Sequence, residues 1–413
     1  MITYFGTPLL VLSLFASSVF GADKSLSWSE LVTKTKENNE ELLSSQRSLQ
    51  SSEYSVKGSY YNYMPQVSAS ASASRGSTAD DYGVALTATQ NVFSGFSDAG
   101  KVAQNKANYD LARASLQTTQ AKVSYDLKSA VADLVYAQNY VKLAKGIIDR
   151  RELNLKMVQL RFDGGRENKG SLLLSKAYLE DARLDYLQAT QDLSVAQSRI
   201  AKILGEEDMN NYILNGKVPV TVPPETNPDF QKLVLDTPVY KSAMAQEDIS
   251  KASVTQSEAG FYPSLNLSAT TGKSGTSWYP DQDRWSVGAS ISMPIFNGGR
   301  DYFSTRSSLE SLKASTLTRS STLKDQLVKL KDTYVSYVQA VQKLKVDGAY
   351  VEAAEAREKI SRQKYNNGLS TFDDWDLIES DLIKRQKSLL QSERDRIVSE
   401  AAWEQVQGKG VLQ

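Results

Sequence analysis

The sequence predicts a mixed, mainly α chain: tandem-duplicated, long coiled-coil helical hairpins with four β-strands. Three observations carry this reading. Landmarks recur at a fixed interval; two long stretches per copy step their apolar residues by three and four; two short stretches per copy alternate apolar and polar residues.

The repeat comes first, because it organises the rest. Asn91-Val92-Phe93-Ser94-Gly95-Phe96 is echoed by Pro294-Ile295-Phe296-Asn297-Gly298-Gly299, and Arg161-Phe162-Asp163-Gly164-Gly165 by Lys364-Tyr365-Asn366-Asn367-Gly368. Phe93 to Phe296 is 203 positions, and so is Gly165 to Gly368. Met64-Pro65-Gln66-Val67 and Tyr262-Pro263-Ser264-Leu265 lie 198 apart, so the second copy holds five extra residues between this pair and the Phe landmarks. The chain divides into residues 1–21, a first repeat at 22–205, a Pro-rich linker at 206–235 (Pro219, Pro223, Pro224, Pro228) and a second repeat at 236–413. Leu9 to Phe20 is apolar over the length of an export signal, and the small residues before Ala22 suit cleavage, so 1–21 reads as a signal peptide.

Each copy gives the order helix, strand, strand, long helix, turn, long helix. Trp28 to about Tyr63 is mostly polar and helix-favouring, and Pro65 ends it. Val67, Ala69, Ala71 and Ala73 then alternate with serines, and Tyr82, Val84, Leu86 and Ala88 alternate with Gly, Ala and Thr. Copy two offers Leu265, Leu267 and Ala269, then Trp285, Val287, Ala289, Ile291 and Met293. This period of two predicts strands with one apolar face, joined through polar tips at Arg75–Asp81 and Gly272–Arg284. In the long stretches, Leu127, Ala130, Leu134, Ala137, Val141, Ala144 and Ile148 lead on to Leu155, Val158 and Phe162, with Arg151 breaking the stripe. After Gly165 the pattern resumes from Leu172 to Ile203, and Leu323 to Leu344 repeats it in copy two. That is a heptad seam. A helix from Lys101 to Phe162 would be roughly 90 Å long at 1.5 Å per residue, too tall for a compact globular core.

Composition narrows the function. The 413 residues include 48 Lys+Arg, 48 Asp+Glu, no His and no Cys. No Ser-His-Asp triad, zinc-histidine motif, thiolate nucleophile or disulfide framework can be built, and no cofactor site is expected. A formal charge of zero gives no broad nucleic-acid footprint. Gly165 to Ser171 has phosphate-loop glycines but neither the Gly-Lys-Ser/Thr ending nor a preceding strand. Asp373, Asp374 and Asp376 lack calcium-loop spacing, so no metal is expected there. No apolar run in the body of the chain reaches the length of a spanning helix.

The strands are long enough, tilted, to cross an outer-membrane apolar band. One chain has four, and four leave two open edges that lipid cannot satisfy. Two copies would give a barrel filled by its own side chains, and three would leave a passage. A soluble coiled-coil scaffold with small hairpin domains is the other reading open at this point. Tyr82, Trp278, Tyr279 and Trp285 lie near the hairpin ends, where interfacial aromatics belong.

The chain resembles the TolC-like outer membrane efflux protein family. The resemblance rests on the duplication, the aromatic-x-x-Gly turns at Phe162–Gly165 and Tyr365–Gly368, Pro65 and Pro263 before the first strands, and the Val92–Gly95 and Ile295–Gly299 junctions. It implies a homotrimer in which each chain's four strands contribute to a 12-strand transmembrane β-barrel and its helices to a periplasmic α-barrel. The implied partners are a periplasmic adaptor, an inner-membrane pump and outer-membrane lipid. Small-molecule efflux is the implied task, with a type I protein secretion duct as the alternative. It further implies adaptor contacts at Gly165, Arg166, Gly368, Leu369 and Ser370, and a periplasmic gate at Asp374, six residues after the tip glycine. A second ring position falls on Leu377, and the copy-one equivalent of Asp374 is Ser171.

Overall fold

The computed structural model describes residues 24–77, 80–206, 212–214, 218–224 and 227–412. The proposed signal segment lies outside them, as does part of the 206–235 linker.

The described elements run in two similar series along the chain. Copy one has β1 (Lys24–Leu26), α1 (Trp28–Asn38), α2 (Glu40–Tyr60), β2 (Gln66–Arg75), β3 (Asp80–Ser94), α3 (Ser97–Asp163) and α4 (Lys169–Ile203). After β4 (Tyr212–Leu214) come α5 (Phe230–Asp236), α6 (Pro238–Glu258), β5 (Ser264–Gly275), β6 (Gln282–Ser292), α7 (Arg300–Asn366) and α8 (Phe372–Val406). Helices α3 and α7 are each 67 residues long, and α4 and α8 each 35. At 1.5 Å per residue the longer pair spans about 100 Å.

Three expectations needed correction. The helix expected from Trp28 to Tyr63 breaks at Asn39, whose extended backbone ends α1 and whose side chain accepts the Leu42 amide to start α2. The strands run further into the hairpins than the polar sequence suggested: β5 reaches Gly275 and β6 begins at Gln282, because ladder bonding continues through polar residues when no layer covers the sheet. Arg151 does not interrupt the α3 seam. It is buried there, donating to Asp376 of α8 at 2.8 Å and to Ser380 at 3.2 Å, with its guanidinium 4.6 Å from the Tyr178 ring centre.

The main sheet is antiparallel in the order β2-β3-β5-β6, with β3 paired to β5 at its centre, and among the described residues the edges β2 and β6 have no strand partner. Apolar residues line up across it: Ala69 faces Leu86, and Ala269 faces both Ala88 and Val287. A bulge between Asn91 and Phe93 returns Phe93 to the apolar face opposite Leu265. Every residue of β2 and β6 is exposed, Val287 to 76% and Ile291 to 75%. The strands turn into the long helices through paired left-handed residues, Gly95 and Phe96 in copy one, Gly298 and Gly299 in copy two. A Cβ on Gly95 would sit 2.8 Å from the Ala259 carbonyl oxygen, so glycine there permits the copies to pack at this junction.

Helices α3 and α8 pack on each other at the centre of the helical part; α4 flanks α3 and α7 flanks α8. The largest core joins α1, α3, α4 and the β1–β4 ribbon through Leu31, Leu127, Val131, Ile200 and Tyr212. A second core joins α5, α7 and α8 through Val234, Leu330, Tyr337 and Trp403. Thr221, in the Pro-rich segment, is tied to this core by the Tyr337 hydroxyl, which donates to its carbonyl at 2.7 Å, and by its own amide, which donates to Glu400 at 2.9 Å. No described helix is long and apolar enough to cross a membrane.

Candidate functional site at the helical tips

Both long hairpins reverse by the same means. Gly165 has φ +68° and Gly368 φ +76°, conformations that cost a side-chain-bearing residue but not glycine. Around each, two backbone N–H groups donate to carbonyls at the end of the preceding helix: Gly165 to Phe162 and Arg166 to Arg161, Gly368 to Tyr365 and Leu369 to Lys364. The returning helices begin on equivalent side chains. Asn168 accepts the Ser171 amide at 2.9 Å, and Thr371 accepts the Asp374 amide at 3.2 Å.

Those caps fix where the expected residues sit. Gly165, Arg166, Gly368 and Leu369 are exposed at the extreme end, Leu369 to 75%, with Ser370 half-buried behind them. Asp374 is exposed on the first turn of α8, and its carboxylate accepts the Thr371 hydroxyl at 2.6 Å. Leu377, one turn on, is 72% exposed. Asp376 is not on that face; it turns inward to Arg151.

The two tips are bound together by residues that sequence reading missed. Arg161, at the end of α3, donates to the Tyr365 carbonyl at 2.6 Å and lies 4.5 Å from the Tyr365 ring centre. The Tyr365 hydroxyl returns the link, donating to Glu167 of the first tip at 2.8 Å. Tyr365 stacks on Trp375 with centroids 4.7 Å apart and planes 4° apart, and Phe372, Val158 and Leu172 complete the core. Burial, then the neighbouring Glu167 carboxylate, raise the Tyr365 phenol well above the usual tyrosine range. For Glu167, burial pulls upward, but hydrogen bonds from Tyr365, Asn168 and Ser171 together prevail and hold its carboxyl below the usual range. The available signal was the aromatic density of Tyr365, Phe372 and Trp375, which does not say where these rings point.

A charged layer lies just above. Glu379 of α8 is fully buried between Arg150 of α3, 3.7 Å away, and Arg362 of α7, 3.5 Å away. Arg362 also donates to Glu358 at 2.6 Å. Desolvation raises the Glu379 carboxyl above its ordinary range despite these cations. No cluster with metal-binding composition occurs among the described residues.

The profile of the outer membrane efflux protein family matches two stretches, residues 31–206 and 232–409. Among curated relatives, Nodulation protein T of Rhizobium leguminosarum bv. trifolii is 22% identical over 316 residues, covering 72% of this chain and 64% of that protein. Outer membrane efflux protein BepC of Brucella suis biovar 1 is 21% identical over 290 residues, 68% of this chain and 63% of the relative. Alkaline protease secretion protein AprF of Pseudomonas aeruginosa is 21% identical over 248 residues, 58% of this chain and 52% of the relative. The matched region is thus under two thirds of each relative's length. Among solved structures, the outer membrane protein VceC of Vibrio cholerae superposes with a TM-score of 0.81 at 18% identity, covering 93% of this chain and 96% of that one. With the profile matching two stretches that together span most of the chain, and the fold shared with a solved outer membrane protein, the chain belongs to the outer membrane efflux protein family.

Proposed function

We propose that three copies of this chain form a passive exit duct, a twelve-strand barrel in the outer membrane continuous with a periplasmic helical tunnel. The carrying observation is the open four-stranded sheet, apolar on one face and unpaired at β2 and β6. Unpaired backbone in hydrocarbon costs several kcal/mol per group, so copies must share the wall. The helical part repeats the argument. Its flanks expose apolar side chains, Leu184, Leu187 and Val195 on α4, Val335, Val346 and Ile360 on α7. One flank fitting the other, copy after copy, is a head-to-tail contact that closes into a ring.

The tips shut the tunnel at rest. Asp374, repeated around a threefold axis, forms a carboxylate ring that favours cations, and the exposed Gly165, Arg166, Gly368, Leu369 and Ser370 meet a periplasmic adaptor. The adaptor couples the duct to an inner-membrane pump, which supplies the energy, and the cargo is small molecules. The likeness to AprF, whose name is that of a protein-secretion component, supports a type I protein secretion duct as the second reading.

Planar-bilayer recording tests the gate. Asp374→Ala is expected to raise the conductance of the purified channel and weaken its cation preference. Asp374→Asn, which keeps an acceptor for Thr371, is expected to do the same. If neither variant moves either quantity, Asp374 is an acidic first-turn residue that complements the α8 dipole and not a gate.

A further inference from the structure

The sheet sorts its charges by face. Toward the hairpin ends, the charged residues in register with the apolar face are paired: Arg75 with Asp80 at 3.3 Å, and Lys273 with Asp283 at 3.6 Å. The opposite face is surfaced by small residues such as Ser70, Ser72, Thr87, Thr270, Ser286 and Ser290. Two charged residues stand on it near the hairpin ends, Asp81 on β3 and Arg284 on β6, both exposed and neither in an ion pair among the described residues.

Arg284 occupies a row with Gly272, Ala85 and Ser70, so nothing bulky stands beside its guanidinium. The bareness is built in: a Cβ on Gly272 would come within 2.1 Å of the Val84 carbonyl oxygen, which excludes any larger residue there. A groove of about 280 Å³ crosses this face, with Asp81 and Arg284 both among its walls.

We propose that Arg284 and Asp81 set the ion preference of the outer half of the conduit. The proposal rests on the three-copy barrel above, in which the hydroxyl-rich face lines the lumen and each residue recurs as a ring. Arg284 draws anions and Asp81 cations through an otherwise uncharged lining. On the wall of a wide pore such charges act over a Debye length, about 10 Å at 0.1 M salt and about 3 Å at 1 M.

The test is the reversal potential across a KCl gradient, read in Asp374→Asn channels so that the tip carboxylates do not mask the outer rings. Arg284→Ser is expected to raise the cation-to-anion permeability ratio about two- to fivefold near 0.1 M salt, and Asp81→Ser to lower it by a similar factor. Arg284→Lys should keep the unsubstituted ratio, and all differences should shrink at 1 M. Conducting channels whose ratio does not respond to Arg284→Ser would overturn the proposal while leaving the duct reading intact. A protein that forms no channels even without substitution would overturn the duct and the rings together.

Discussion

Tyr365 is held on three sides by different chemistry: a carboxylate at its hydroxyl, a guanidinium on its ring and carbonyl, and an indole stacked on its face. The link to Glu167 has a defined pH window. Glu167 has a lowered folded-state pKa, so its contribution is present above the unfolded carboxyl value of about 4.3 and is lost as pH falls through the lower folded value. Tyr365 has a raised folded-state pKa, so its contribution is full below about 10 and is lost as pH rises through the higher folded value. Tyr365→Phe is expected to cost about 1 kcal/mol, since Glu167 is partly exposed, and to flatten the acid limb of a melting-temperature profile. An unchanged acid limb would remove Glu167 from the account. None of this was legible beforehand. Arg161 and Tyr365 are 204 positions apart, and no local pattern marks two residues that meet only because both hairpins end at one level.

Helices carried the most readable signal. The three-four stepping through Leu127, Leu134, Ala144 and Val158 marks residues that are all buried on α3. Arg151 was legible as a break in that stepping but not as a filled position, because its partner Asp376 lies on a helix from the other repeat. A buried pair fails asymmetrically. Arg151→Met should cost about 3–5 kcal/mol by stranding Asp376, and adding Asp376→Leu should recover most of that in denaturant titration. If the double variant is no more stable than the single, the pair is not the source of the loss. At the tips, Gly368→Ala meets no atom within 4 Å, so its expected cost is the left-handed strain alone, about 1–2 kcal/mol. The strands were legible in their alternation but not in their extent. Where neither face is covered, β5 and β6 continue through Lys273, Ser274, Gln282 and Asp283, residues that read as loop.

The whole molecule is unfinished in a regular way. The sheet ends in two free edges, the helical part in two apolar flanks, and both sets sit at the margins of the order β2-β3-β5-β6 and of the α4, α3, α8, α7 series. Ile295 and Phe296, just past the end of β6, are 97% and 84% exposed, an aggregation hazard for a lone chain in water. The 203-residue spacing was legible because it falls on Gly165 and Gly368, whose left-handed backbone calls for glycine at both turns. What the margins contact was not visible, since strand alternation is the same beside lipid and beside a soluble partner. Native mass spectrometry of the protein extracted from outer membranes in mild detergent addresses this most directly. A ring with shared walls gives a species at three chain masses that dissociates on heating. A stable single-chain species under the same conditions contradicts it.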